Sequence, residues 1–293
     1  HIGKKNINAF IKNKFNQKKF EKYFFSRISA KKIMLKKNYM KILKKEKWDI
    51  FRAFNNKENF SKNKLYSKLN FKDLDKPLCV FALHAFKDAN HIYGDFIFES
   101  FYDEFLKTIK FLKGKDNFYW AVKPHPAGDR LGENKIVEKL INRLSATNIK
   151  IIPKNISTKT IILHADKIIT SRGTIGLEYA AIGKKPILTS KTYYSNFGIV
   201  LQCKSQSDYY FNILDNKFPK KLDNNGRLLA KAILYKRKFE YIKKNIFNIT
   251  SPEVETGKIK FLKSYEKKLR QLKNPKNKLR KLYLQILKNE KII

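Results

Sequence analysis

The stretch that decides the fold is Asp166-Lys167-Ile168-Ile169-Thr170-Ser171-Arg172-Gly173-Thr174-Ile175-Gly176-Leu177-Glu178, followed by Tyr179-Ala180-Ala181-Ile182-Gly183. A short apolar run ends in hydroxyl residues and a glycine, and a helical pattern begins at once. This is the strand-to-helix step of an α/β unit. The backbone N–H groups at such a helix start lack intrahelical partners and form an anion site. Gly173 and Gly176 remove bulk where a phosphate would come closest, and Ser171 and Thr174 are expected either to cap the helix or to donate to a ligand. Arg172 adds a cation to the turn. Glu178 falls four residues after Thr174 on the same helix face, where a carboxylate would accept from ribose hydroxyls or merely complement the helix dipole. The ending Gly-Lys-Ser/Thr of a Walker loop and the three-glycine dinucleotide spacing are both missing, which argues against phosphoryl transfer from ATP and against hydride transfer.

Working outward, the same alternation runs from Phe71 to Gln206. The expected strands are Leu78 to His84, Phe118 to Lys123, Ile149 to Pro153, Lys167 to Ser171 and Pro186 to Ser190. Helices fit between them at Phe96 to Leu112, Glu133 to Ser145, Ser157 to His164 and Thr174 to Ile182. The reading is a Rossmann-like parallel sheet flanked by helices over residues 71–215. Residues 1–70 and 216–293 read as basic helical segments, with Ser251-Pro252-Glu253 as a helix start and Asn274-Pro275 as an interruption.

A second constellation, Lys123-Pro124-His125-Pro126, ends the strand at Phe118. Each proline holds the residue before it extended, so Lys123 and His125 are pre-positioned beyond a strand's carboxyl end, where ligands of open α/β sheets bind. His125 is the expected catalytic residue, protonating a departing group, and Lys123 a ligand of donor phosphate; the competing reading is a rigid turn. The two constellations are expected to face each other across one cleft at one sheet edge. After the first strand come His84, Asp88 and His91, candidates for touching donor or acceptor. After the fifth come Tyr194 and Gly198, candidates for packing against a base or sugar, or equally parts of an ordinary core-facing turn. Asp73-Leu74-Asp75 imitates a metal-binding turn, but it precedes the first strand and runs into Lys76-Pro77, so no metal site is expected.

Composition narrows the setting. The 293 residues are 42% hydrophobic, enough for a sizeable core, and carry a formal charge of +40. A charge of that size attracts nucleic acid, anionic lipid and acidic glycan alike, and lysine-rich solvated faces of an AT-rich genome would show it without any such partner. The apolar runs fall far short of the ~20 residues of a spanning helix. Two isolated cysteines, Cys79 and Cys203, suit a reducing cytoplasm. The chain opens on His1 rather than methionine, as expected of a piece of a longer protein.

Together these motifs resemble the capsule polysaccharide biosynthesis family, whose best-known members include transferases of the acidic sugar Kdo from CMP-Kdo. The resemblance covers Cys79 to Leu214 and rests on His84 to Asp88, Lys123 to Pro126, Gly173 to Glu178, Gly183 to Pro186 and Tyr194 to Gly198, in that order. It implies the C-terminal, donor-binding half of a GT-B fold and a metal-independent glycosyltransferase with no cofactor besides its nucleotide-sugar co-substrate, a CMP-linked sugar among the candidates. His125 would contact the donor phosphate, with Glu178 and the Ser171 to Thr174 loop holding the nucleotide. The acceptor would be a glycan or glycolipid of a bacterial surface polysaccharide. The expected setting is the cytoplasm, with the basic ends against the anionic inner face of the membrane and no specific nucleic acid. Such an enzyme needs a second Rossmann-like domain, which residues 1–70 are too short to supply, so an inverting reaction's general base is expected outside this chain. The rival readings are a basic nucleic-acid-binding protein and a glycerophosphotransferase of the teichoic-acid type. The Ser-Asp-rich motif of the latter is replaced here by Ser171-Arg172-Gly173-Thr174.

Overall fold

Buried strands of a parallel sheet are covered on both faces, so their side chains must alternate between two cores. A computed structural model describes residues 4–18, 20–21, 58–87, 95–128, 132–217 and 220–236, all but Lys236 within one compact unit. Its six strands are β1 (Leu78–Ala82), β2 (Tyr119–Lys123), β3 (Ile149–Ile151), β4 (Lys167–Thr170), β5 (Ile187–Leu188) and β6 (Leu201–Gln202). They lie in the order β3-β2-β1-β4-β5-β6 with every pairing parallel. This is the doubly wound Rossmann order, which reverses direction between β1 and β4.

The helices are α1 (Lys4–Lys14), α2 (Lys62–Lys68), α3 (Phe101–Leu112), α4 (Glu133–Arg143), α5 (Thr158–His164), α6 (Thr174–Ala181), α7 (Gln206–Leu214) and α8 (Asn224–Lys236). Along β1, Leu78, Val80 and Ala82 join one apolar cluster with α1, α2, α5, α6 and α8. Cys79, Phe81 and Leu83 join the other, with α3, α4 and α7. The change of face at the β3 to β4 crossover is what makes the sheet doubly wound. Near the first face, Phe10, Phe15 and Phe20 gather around Tyr235 at 5.6–6.3 Å between ring centroids, and the Lys231 ammonium meets Glu21 Oε1 at 2.8 Å.

The five expected strands and the four helices between them are all present, with one displaced start. The helix expected from Phe96 begins at Phe101. The segment before it pairs instead with the end of β5, through a Phe96–Ser190 bridge and a bond from Ile97 N to Thr189 O of 3.2 Å. Ser100 then caps α3, its side chain accepting from Asp103 N. Long-range pairing has overridden a helical apolar spacing, and the serine fixes where the helix can begin. Residues 22–57 and 237–293, including Ser251 to Glu253 and Asn274-Pro275, lie outside the described residues. No described helix is long and apolar enough to cross a membrane.

Candidate active site at the carboxyl edge

Register fixes which residues meet. Lys123 of β2 stands beside Ala82 of β1, and Ile169 of β4 beside Phe81, so the three strands end abreast. Two residues past Lys123, Ala82 and Thr170 come His125, His84 and Arg172. These are the positions outside the carboxyl ends at the point where strand order reverses, where open α/β sheets place their ligands.

The three side chains form one stacked row. The His84 ring lies 5.7 Å from the His125 ring at 13° between planes. On its other side it lies 4.3 Å from Phe101 at 14°. The Arg172 guanidinium sits 5.6 Å from both Phe101 and Phe96, and Arg172 Nε donates to Ser190 Oγ at 2.7 Å. His125 and the α6 turn therefore share one edge, but the rings of His84 and Phe101 lie between them in place of the open cleft expected. His84, His125, Lys123 and Arg172 are each partly exposed on that edge. Ala127 N donates to His125 Nδ1 at 3.2 Å, which assigns the proton of the neutral ring to Nε2.

The α6 turn differs from the serine-capped helix starts. Helices α2, α3, α5 and α7 begin at Ser61, Ser100, Ser157 and Ser205, each accepting from an amide of its own first turn. Helix α6 begins at Gly173 with no side-chain cap, and so does α4 at Gly132, beyond the His125 loop. Of the first-turn amides of α6, Gly176 N reaches Gly173 O at 3.1 Å. The hydroxyls expected to serve the turn are placed otherwise. Ser171 does not cap α6: it is buried, and its hydroxyl donates to Glu104 in a short bond. Thr174 is the first helical residue.

The glycines answer to packing. A Cβ on Gly176 would lie 2.7 Å from the Tyr194 hydroxyl, and one on Gly173 would lie 2.7 Å from Thr170 Oγ1. Tyr194, expected against a base or sugar, is fully buried, and its hydroxyl donates to Gly173 O at 2.6 Å. It acts on the turn from beneath. Gly198, with φ of 74°, lies apart in a cleft lined by Ile11, Lys12, Lys185 and Lys221. Glu178 is buried, 5% exposed, within α6. Asp88 and His91 lie outside the described residues. Asp73 belongs to the loop before β1, at the opposite edge of the sheet, and its carboxylate accepts from Asp75 N at 2.8 Å and Lys76 N at 3.3 Å.

Sequence reasoning missed Glu104. On α3 it lies among Phe101, Phe105 and Thr108, all buried, and is itself 1% exposed. It accepts from Ser171 of the β4 end and, at 2.5 Å, from Thr189 Oγ1 of the β5 end. Burial pushes its carboxyl up to about 7, against the pull of the two hydroxyls and of Arg172. The available signal was an acid in the middle of an apolar helical stripe. Glu133, also buried, accepts from Lys87 N at 3.0 Å and so ties the loop after β1 to the start of α4.

Among solved structures, one described as Thermosulfurimonas dismutans KpsC, beta Kdo 2,4 transferase, is 14% identical with a TM-score of 0.39, over 71% of this chain and 59% of that one. Its beta Kdo 2,7 transferase counterpart is 17% identical with a TM-score of 0.37, over 77% and 57%. The wall teichoic acid polymerase TagF is 12% identical with a TM-score of 0.37, over 73% and 48%. The chain thus spans between about half and three fifths of the length of these structures. No curated protein matches it in sequence. The family described as capsule polysaccharide biosynthesis protein matches residues 3–239, most of the chain, and the chain belongs to that family.

Proposed function

We propose that this chain is the donor-binding half of a GT-B glycosyltransferase that moves a sugar from a nucleotide donor to a bacterial surface glycan without a metal. The observation that carries the reading is the convergence of the His125-His84 pair, Arg172 and the glycine-started α6 on the edge where strand order reverses. A departing nucleotide phosphate gathers negative charge. The α6 amides and Arg172 offset that charge, and His125, with a proton on Nε2, donates to the phosphate oxygen. Lys123 adds a second cation beside His125. Family membership supports this setting, and the resemblance to Kdo transferases makes CMP-Kdo the first donor to try. A lipid-linked acceptor at the inner membrane face, reached through the basic ends, belongs to the same proposal.

A thermal-shift screen of CMP-, UDP- and GDP-linked sugars against this chain tests it, with CDP-glycerol and a short RNA as the rival ligands. One nucleotide-sugar class raising the melting temperature, with the shift lost in Arg172→Ala, is the expected result. A shift with CDP-glycerol alone replaces the glycosyl reading by glycerophosphate transfer. Stabilisation by RNA alone, abolished by salt, replaces it by nucleic-acid binding.

A further inference from the structure

We propose that Glu104 is a positioning residue for the α6 turn: by holding Ser171 and Thr189 together it fixes the ends of β4 and β5, and so sets the geometry in which the α6 start receives a donor phosphate. The inference rests on the donor-binding reading above and extends it to a residue that no motif marks.

Taking a carboxyl group out of water is unfavourable unless its oxygens find partners that offset the loss, and an apolar residue of similar volume would serve a core better. Glu104 sits where α3 buries Phe101, Phe105 and Ile109, yet it spends each carboxylate oxygen on a different strand end, Oε2 on Ser171 and Oε1 on Thr189. Those two residues belong to neighbouring strands with no other side-chain tie between them among the described bonds. Ser171 immediately precedes Arg172 and Gly173, and Thr189 immediately precedes Ser190, the acceptor for Arg172 Nε. One carboxylate therefore sets both sides of the Arg172 contact. The same helix supplies Phe101, the ring shared by His84 and Arg172, so the first turn of α3 underlies the whole row.

Burial decides between contact and positioning. Glu104 is 1% exposed, with one oxygen on Ser171 and the other on Thr189, so it does not serve as a direct ligand for the donor. The charged group facing it is Arg172, and the neighbouring Tyr209 hydroxyl and Cys203 thiol are both pushed up by burial and stay neutral. Buried, and bonded to two strand ends, Glu104 contributes the orientation of the turn.

The test combines hydrogen exchange of residues 171–178 with the affinity of the intact chain for CMP, UDP and GDP. In Glu104→Gln one carboxylate oxygen becomes an NH2 group, which donates where the oxygen accepted, so the hydroxyl on that side must turn round to keep a bond and the tie is weakened. The expectation is at least tenfold faster exchange in the turn, at least tenfold weaker binding of whichever nucleotide the wild type prefers, and a Glu104→Gln/Ser171→Ala double variant that loses less than the sum of the two single losses. Unchanged exchange in the turn, or losses that simply add in the double variant, overturns the proposal. Should Glu104→Gln fail to fold, Thr189→Val removes one tie isosterically and must still raise exchange in the turn, by a smaller factor. A wild-type chain that binds none of the nucleotides sinks the donor-binding reading, and the exchange result still decides whether Glu104 sets the turn.

Discussion

The two edges of the sheet use polar groups in opposite ways. At the amino edge they are consumed by the fold. Lys167 is buried at the start of β4, its ammonium donating to Ile213 O at 2.7 Å and Asp215 O at 2.6 Å and lying 4.0 Å from the Phe118 ring. Asp166 accepts from Leu78 N, and Tyr179 donates to Asp166 O at 2.7 Å. These contacts close the ends of α7 and β1. At the carboxyl edge polar groups stand on a floor of rings, partly exposed, beside two helices that start at glycine without side-chain caps. A buried polar group satisfied by backbone carbonyls stabilises a fold; convergent polar groups left at a surface are placed to meet something else.

Substitutions at the carboxyl edge are expected to affect activity and those at the amino edge stability. The largest effect is expected from His125→Ala, a fall in turnover of the intact enzyme of about 10²–10³ with little change in melting temperature; near-normal turnover removes His125 from the chemistry. At the amino edge Lys167→Met leaves two carbonyls without their donor and is expected to lower stability by roughly 1–3 kcal/mol in denaturant titration. Nucleotide affinity should not change. Parallel loss of affinity would mean that the two edges are coupled. Gly176→Ala, whose Cβ would press on the Tyr194 hydroxyl, is expected to cost about 1–3 kcal/mol and, unlike Lys167→Met, to weaken nucleotide binding as well.

A pH series sharpens the contrast further. Burial raises the Glu104 carboxyl to about 7 from 4.5, so between these values the folded chain binds more protons than the unfolded one. The contribution of Glu104 to stability is therefore present below pH 4.5 and is lost as pH rises through 7. The stability of Glu104→Gln relative to wild type should rise across that window, by on the order of 2–3 kcal/mol. A flat difference would show that Glu104 is not buried as an acid. The smallest effect belongs to the exposed turn: Asp73→Ala should cost under about 1 kcal/mol and change no binding.

How far the sequence could be read follows from the same physics. The strands were legible because each is a short apolar run bounded by turn residues, and the helices after them because their apolar faces repeat at 3.6. Strand β6 was not, since Leu201–Gln202 is two residues long and half-polar. The Lys-Pro-His-Pro and Gly-Thr-Ile-Gly segments pointed to one edge because both follow strands of a parallel sheet. What no spacing contained was the middle of the site. Phe101 and Glu104 come from a helix, and their partners His84, Arg172, Ser171 and Thr189 are supplied by three different strand ends, so only the strand order brings them together. For Tyr194 the sequence leaves a ring against a ligand and a core-facing ring equally open, and its burial beneath the glycine turn decides for the second.

The most direct test is a crystal structure of the chain bound to the nucleotide-sugar that stabilises it most. The account predicts a phosphate within hydrogen-bonding distance of the first-turn amides of α6 and of His125, above the His84 and Phe101 rings. A phosphate seated elsewhere, at the amino edge or in the cleft between α1 and α8, would contradict it.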